Sequence, residues 1–206
     1  RSSKTIPATG SASRSQAKRI EVRIGPIRPI GPIQTMRIKW TDRRFSFDFP
    51  AGIYPEMIER VRGTPARLED LLAGLSTETL TAQVDGRWSM QENAGHLLDL
   101  ESLVSQRVDE YLAGNTTLHA ADMSNRKTYD ATHNDVPVAS ILTAFRAARL
   151  ELVDRLEGLD AEVFAHSALH PRLQVQMRLV DMLFFQAEHD DYHLARISEL
   201  KKICAN

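Results

Sequence analysis

Four segments of this chain carry apolar residues at the spacing of an amphipathic helix, and this repetition limits the folds that the chain can adopt. We predict helices over about 55–73, 89–113, 137–157 and 174–203. No strand pattern alternates with these segments, which argues against a parallel sheet. The sequence therefore predicts an all-α protein whose four helices pack as a four-helix bundle.

Local signals place the ends of these helices and the connection between the second and the third. Ser89-Met90-Gln91-Glu92 fits a reciprocal capping box, which predicts that the second helix begins at this serine. Pro65 lies within the first segment and predicts a kink near Gly63. The connection over 114–136 is long for an up-and-down bundle, so we expect a crossover that could let helices two and three run parallel.

Composition and charge exclude several classes of protein. The single cysteine, Cys204, excludes an internal disulfide framework and a cysteine-rich zinc module, and it fits a cytoplasmic location. Residues 1–45 hold eleven Lys and Arg and two acidic residues, whereas the remainder holds fifteen basic and twenty-five acidic residues. An acidic body argues against a nucleic-acid surface there. No apolar run reaches the length of about 18 residues that a membrane helix needs, so no membrane partner is expected.

The N-terminal part reads differently from the body. Residues 1–35 show no helical or strand period and contain prolines at 26, 29 and 32, which predicts a disordered or extended basic tail. We expect one domain over 36–206, beginning near Met36. Two interpretations of the tail remain: upstream sequence attached to the domain, or a basic arm for anionic partners. Just after Met36, the alternating residues 44–49 predict an extended strap that lays three phenylalanine rings on the body.

Histidines are the most informative polar residues of the body. His189 and His193 lie four residues apart, so on a helix their rings are about 40° apart on one face. Both fall inside the apolar arc of the fourth helix, and His96 falls on the apolar stripe of the second. One histidine from one helix and a pair from another can make a three-nitrogen face for a metal ion. The alternative is that they are hydrogen-bonded core histidines.

Further candidates surround this set. Asp99 lies one turn after His96, and Asp190 leans toward the apolar arc, so each could orient a ligand histidine. His170, in the loop predicted before the fourth helix, and His133, in the crossover, could reach the bundle mouth as a fourth ligand or a proton carrier. Solvated loop histidines are the alternative for both. No phosphate-binding glycine fingerprint and no serine-nucleophile elbow is present.

Three stretches of this sequence resemble the DinB-like (DinB/YfiT) superfamily of metalloenzymes. They are Trp88 to Leu97, the loop run from Asn125 to Asn134, and Ala187-Glu188-His189-Asp190-Asp191-Tyr192-His193. The resemblance covers about residues 40–203. It implies a four-helix bundle with a long crossover, a homodimer, and a divalent metal held by three histidines, which by position are His96, His189 and His193.

The resemblance also implies alternative activities. Members of the family are similar to thiol S-transferases, to a thiol-dependent isomerase and to metal-dependent hydrolases, so the metal would activate a small thiol or a water. Zn, Ni or Fe would suit three imidazoles, and a low-molecular-weight thiol is a possible cosubstrate. We expect a small-molecule substrate acted on by a transferase or hydrolase. A non-catalytic metal-binding or stress-response bundle that acts through a partner is the alternative.

Overall fold

The computed structural model describes residues 38–204. The tail predicted over 1–35 and the domain start near Met36 lie outside the described residues. Seven helices and two strands form the described part: α1 (Tyr54–Arg62), α2 (Thr64–Leu72), α3 (Thr77–Thr81), α4 (Met90–Leu112), α5 (Arg126–Asp130), α6 (Val138–Glu157), β1 (Ser167–His170), β2 (Val175–Arg178) and α7 (Leu179–Cys204). Within residues 38–204, no helix combines the length and the hydropathy needed to cross a membrane.

Four helical rods make the bundle that the sequence predicted. The first rod is α1 followed by α2, and the helix is interrupted between them at Gly63, beside the predicted kink. The other rods are α4, α6 and α7. Helix α4 packs on α6 and α7, and the first rod packs on the same two helices. Because α4 and α7 are neighbours, side chains on their facing sides meet inside the bundle.

The capping box at the start of α4 is present. Ser89 Oγ accepts a hydrogen bond from the Glu92 amide at 3.0 Å, and the Ser89 amide donates to Glu92 Oε2 at 2.7 Å. After α4 the chain crosses to α6 through residues 113–137, which include α5. Asn125, just before α5, has a positive φ of 54°. The predicted crossover is therefore confirmed, and its hydrogen bonds follow α4 back from Arg107 to Ser89.

The region before the fourth helix was predicted wrongly. Residues Val175–Arg178 form β2 rather than the first turn of α7, and they pair antiparallel with β1. His170, expected in a loop, ends β1 and is only 2% exposed. Hydrogen bonds to the crossover also hold this hairpin, because Leu118 donates to the Leu169 carbonyl and Leu169 donates to that of Thr116. Such pairing joins residues far apart in the chain, and helical periodicity does not report it.

The segment before α1 forms the predicted strap. Phe45, Phe47 and Phe49 are partly buried against the core. Arg178 Nη2 donates to the carbonyls of Phe47 and Phe49 at 3.1 and 2.8 Å. In the structure the strap begins at Trp40, whose ring stands edge-on to the ring of His189 in α7, with 5.0 Å between the two centroids. The strap therefore covers one side of α7 with aromatic rings.

One buried arginine connects the four rods of the bundle. Arg149 of α6 is fully buried, and its Nη1 donates to the Val61 carbonyl of α1 at 2.9 Å and to Asp190 Oδ2 of α7 at 2.6 Å. Its Nε and Nη2 donate to the two carboxylate oxygens of Glu101 in α4 at 3.0 and 2.7 Å. Burial alone would lower the pKa of Arg149, but Asp190 and Glu101 raise it above its ordinary value. We call these four residues the arginine clamp.

Candidate metal centre

The structure brings His96 of α4 together with His189 and His193 of α7. One ring nitrogen from each lies within 4.8 Å of the others. All three side chains are buried, with 5–7% of each residue exposed. The two helices are neighbours in the bundle, and the i, i+4 spacing turns both α7 rings to the α4 side. We call this set the histidine cluster.

The distance between the two histidines of α7 fits a shared metal ion. Nε2 of His189 lies 3.2 Å from Nε2 of His193. Imidazole nitrogens bind zinc at about 2.0–2.1 Å, and two of them at a ligand angle of about 90–110° would lie about 2.8–3.4 Å apart. Three neutral nitrogen donors also suit the divalent metals of the first transition row. The residues present therefore fit a divalent cation held by three imidazoles.

Neighbouring side chains fix the orientation of His193. The Asn93 amide nitrogen donates to the carbonyls of Trp88 and Ser89 at 3.2 and 2.7 Å, so its Oδ1 faces the other way. Nδ1 of His193 lies 2.8 Å from that Oδ1 and must donate to it. The proton of His193 is then on Nδ1, and Nε2 keeps its lone pair toward the cluster. Such outer contacts are typical of metal-binding histidines.

The other two rings are held differently. His96 Nδ1 is hydrogen-bonded to Thr128 Oγ1 of α5 at 3.0 Å, which leaves its Nε2 for the cluster. His189 Nδ1 is buried without a hydrogen-bond partner among the described residues. The Trp40 ring of the strap packs against His189, and Trp88 packs 4.8 Å from His96 between ring centroids. These indoles shield the cluster from bulk water.

Burial keeps two of the rings neutral. Desolvation, followed by the charge of His189, lowers the pKa of His96 to about 3. Desolvation, followed by the charges of Arg149 and Arg172, lowers the pKa of His189 to about 3. The neutral imidazole is the form that coordinates a metal ion. At neutral pH both rings are therefore in the state that a ligand requires.

Asp99 and His133 form a buried pair beside the cluster. His133 Nε2 lies 2.8 Å from Asp99 Oδ2, and both residues are less than 9% exposed. Both groups act on the pKa of His96 through their charges. The pair depends on Gly95, because a Cβ there would lie 2.2 Å from His133 Cγ. The His133 ring of the crossover thus packs directly against the backbone of α4 at Gly95.

We expect Gly95→Ala to destabilise the protein, although alanine is normally the better helix former by about 1 kcal/mol. The new methyl group would overlap the His133 ring, and overpacking of this kind costs about 1–3 kcal/mol. Urea unfolding would measure the change. Gly158→Ala is the matched control, because a Cβ there meets nothing closer than 3.5 Å. A Gly95→Ala protein as stable as the parent would contradict this interpretation of the contact.

The remaining sequence candidates lie in different places. Asp190 is fully buried, and its carboxylate accepts hydrogen bonds from Arg149, Thr64 and Gln186 rather than from the histidine cluster. It therefore holds α7 in the arginine clamp. His170 lies at the end of β1, where it lines a cavity together with two members of the histidine cluster.

Two cavities that share lining residues adjoin the cluster. The larger, about 320 Å³, is lined by His96 and Asp99 from α4 and by Thr128 from α5. The smaller, about 90 Å³, is lined by His96, His189 and His170. A small molecule in the larger space would touch both the histidine cluster and the Asp99–His133 pair. A larger groove of about 750 Å³ lies elsewhere, along α1, and holds none of these residues.

Sequence reasoning missed several residues around the centre. Thr128 lies in the loop run that carries the family resemblance, but nothing in its spacing pointed to His96. Arg149 gave a clearer signal, because it occupies a core position of α6 between Phe145 and Leu152. A charged residue on an apolar stripe requires a buried partner.

A helical bundle with three histidines converging from α4 and α7 defines the class of this protein, and the comparisons with known proteins agree. The chain belongs to the DinB superfamily, whose family model matches residues 60–197. It is 25% identical over 183 residues to "Putative metal-dependent hydrolase GK0616" of Geobacillus kaustophilus (strain HTA426). That match covers 87% of this chain and 96% of the relative.

Two solved structures share the fold. YfiT from Bacillus subtilis is described as "a probable metal-dependent hydrolase with an unusual four-helix bundle topology". It matches with a TM-score of 0.69 and 17% identity over 79% of this chain and 94% of its own. The mycothiol-dependent maleylpyruvate isomerase matches with a TM-score of 0.57 and 11% identity over 72% of this chain and 60% of its own. At these identities the likeness concerns the fold alone.

Proposed function

We propose that this protein is a metal-dependent hydrolase of a small-molecule substrate. The observation that carries the proposal is the convergence of three buried histidine nitrogens within 4.8 Å beside an open cavity. The relative from Geobacillus kaustophilus, which this chain matches over most of both lengths, adds support through its name. His96, His189 and His193 would hold the ion, with Zn, Ni and Fe as the candidate metals.

The chemistry of such a centre is general. A divalent ion held by three imidazoles supplies Lewis acidity, which lowers the pKa of a coordinated water toward neutrality. Asp99, which lines the larger cavity, would accept the proton that the attacking water loses, and His133 Nε2 would stabilise the carboxylate from the other side. Trp40 and Trp88 would exclude bulk water from the reacting groups.

Metal removal and reloading test the proposal. The full-length protein is stripped with a chelator, reloaded separately with Zn, Ni and Fe, and assayed on a panel of small activated esters and amides. We expect one ion per chain, and hydrolysis that returns with one of the metals and is absent from the stripped protein. Asp99→Asn should then lose most of the turnover while it keeps the bound ion.

Three results would contradict the proposal of a metal-dependent hydrolase. Stoichiometric metal without turnover of any ester or amide would favour the non-catalytic alternative. Turnover that depends on an added small thiol, with the thiol found in the product, would instead identify a thiol transferase. A stripped protein that hydrolyses as fast as the reloaded one would remove the metal from the reaction.

A further inference from the structure

Outside the histidine cluster, the residues that line the smaller cavity include two polar atoms that the protein itself leaves unsatisfied. His170 Nε2 and Arg172 Nη2 are buried, and neither has a hydrogen-bond partner among the described residues; the same holds for Nδ1 of His189 in the cluster. Both residues line this cavity of about 90 Å³ together with His96 and His189. Buried polar atoms are nearly always paired, so two orphans at one cavity call for a ligand or bound water.

Both orphan atoms are hydrogen-bond donors. His170 Nδ1 accepts a hydrogen bond from the Leu173 amide at 3.2 Å, so its ring proton is on Nε2, the atom without a partner. Burial, followed by the charges of Arg107 and Arg172, lowers the pKa of His170 to about 4, so the ring is neutral near pH 7. A guanidinium nitrogen such as Arg172 Nη2 can only donate. A ligand that satisfies both atoms must therefore offer hydrogen-bond acceptors.

The cavity also carries unbalanced positive charge. Arg107 and Arg172 both line it, and neither forms an ion pair within residues 38–204. Arg107 Nε and Nη2 donate to the His119 carbonyl, which is neutral. Burial lowers the pKa of both guanidinium groups below the ordinary value, and for Arg107 it outweighs the opposing charges of Tyr111 and Glu110. An anionic ligand would supply that counter-ion.

The one carboxylate on the wall offsets only part of this charge. Asp122 lines both cavities, but its Oδ1 accepts from the amide and hydroxyl of Ser124, and its Oδ2 accepts from the Arg126 amide. It is therefore occupied in shaping its own turn. The Arg172 guanidinium instead packs against aromatic rings, 5.5 Å from the Phe185 centroid and 5.9 Å from that of Trp40. The centroids of these two rings are 4.9 Å apart, so both rings contact the guanidinium from the same side.

We propose that this cavity binds the carboxylate of a small organic acid, through His170 Nε2, Arg172 Nη2 and the charge of Arg107. A space of about 90 Å³ equals the volume of about three water molecules, which suits one carboxylate with an adjoining carbon. Arginine is the side chain best matched to a carboxylate. We call this cavity the anion pocket. The inference deepens the proposed function, on which it rests for the reaction, by naming the substrate class.

The position of the anion pocket connects binding with reaction. Its walls share His96, Leu100 and Asn125 with the larger cavity, so an acid anchored in it would extend its remaining atoms past the histidine cluster. Remote binding of a charged group would thus position the bond that reacts. Substrates without a carboxylate would lose this anchor.

Direct binding to metal-free protein tests the inference without any assay of turnover. We would titrate the isotope-labelled, metal-stripped full chain with propionate and follow the ring nitrogens of His170 by NMR. We expect a saturable shift with propionate and none with propionamide, which has the same shape but no charge. Arg172→Gln should weaken propionate binding about ten-fold or more, the effect of losing roughly one charged hydrogen bond. The Arg172 side chain makes no hydrogen bond to residues 38–204, so this variant should fold.

A matched variant separates contact from general charge. Arg126 follows Asn125, which lines the cavity, but its own side chain is exposed and forms an ion pair with Asp130. The Arg126→Gln protein should therefore bind propionate as the parent does. Equal shifts with propionamide, or equal weakening in both variants, would overturn the inference. Saturable binding of inorganic phosphate in place of propionate would overturn the choice of a carboxylate. Propionate binding without any hydrolase activity would leave the anion pocket standing and refute the proposed function alone.

Discussion

Replacing Arg149 with methionine is expected to lower the free energy of unfolding by about 3–5 kcal/mol, because it leaves two carboxylates buried without a cation. Glu101 and Asp190 both face this guanidinium, and the Val61 carbonyl loses its donor as well. Methionine keeps part of the apolar stem but lacks the guanidinium, so lost packing against Phe145 adds to the change. Urea or guanidinium unfolding of parent and variant measures the difference.

A neighbouring arginine provides the control. Arg146 lies one turn away on α6 and forms a bidentate pair with Glu69, but both side chains are more than a third exposed. Arg146→Met should therefore change stability little, since exposed ion pairs contribute little. Changing Arg149→Met, Glu101→Gln and Asp190→Asn together should recover part of the loss. An Arg149→Met protein no less stable than Arg146→Met would show that the arginine clamp does not stabilise the fold.

Replacing His193 with alanine is expected to abolish tight metal binding, the largest effect on the proposed centre. Two imidazoles would remain where three converge. Loss of an outer contact alone typically weakens metal affinity about 10–100-fold, and loss of a ligand should exceed this. Elemental analysis after desalting should fall from about one ion per chain to almost none. Asn93→Ala, which removes the acceptor for His193 Nδ1, should give the intermediate loss.

Removal of an exposed histidine controls for the number of imidazoles. His166 lies on the surface before β1, and His166→Ala should keep the metal content of the parent. Circular dichroism of the His193→Ala protein would show whether its helices persist. Unchanged metal content in a folded His193→Ala protein would mean that the ion, if present, is bound elsewhere.

The helices of the bundle could be predicted because their signals are local. The capping box at Ser89–Glu92, the proline after Gly63 and the apolar stripes each involve residues within one or two turns. The start of α7 could not, because Val175–Arg178 has the same short apolar pattern in a helix as in a strand. Pairing with β1, across a turn of four residues, and of β1 with Thr116–Leu118 of the crossover decides the outcome, and the crossover segment is far away in sequence.

The candidate site also combines features that the sequence predicts with features that it does not. The i, i+4 pair on α7 and the position of His96 on its stripe predict which rings share an interior, and the structure brings them together. The partners that orient those rings come from elements 32 and 100 residues away, as Thr128 and Asn93 illustrate. No periodicity encodes such contacts. The predicted homodimer, cytoplasmic location and thiol cosubstrate stay predictions.

The arginine clamp ties together the two helices that bear the histidine cluster. Because Arg149 joins Glu101 of α4 to Asp190 of α7, the polypeptide itself holds the spacing between these helices. A metal ion at the proposed centre would then meet a nitrogen face that the protein already supports. We expect such a face to take divalent ions according to their affinity for imidazole and their supply.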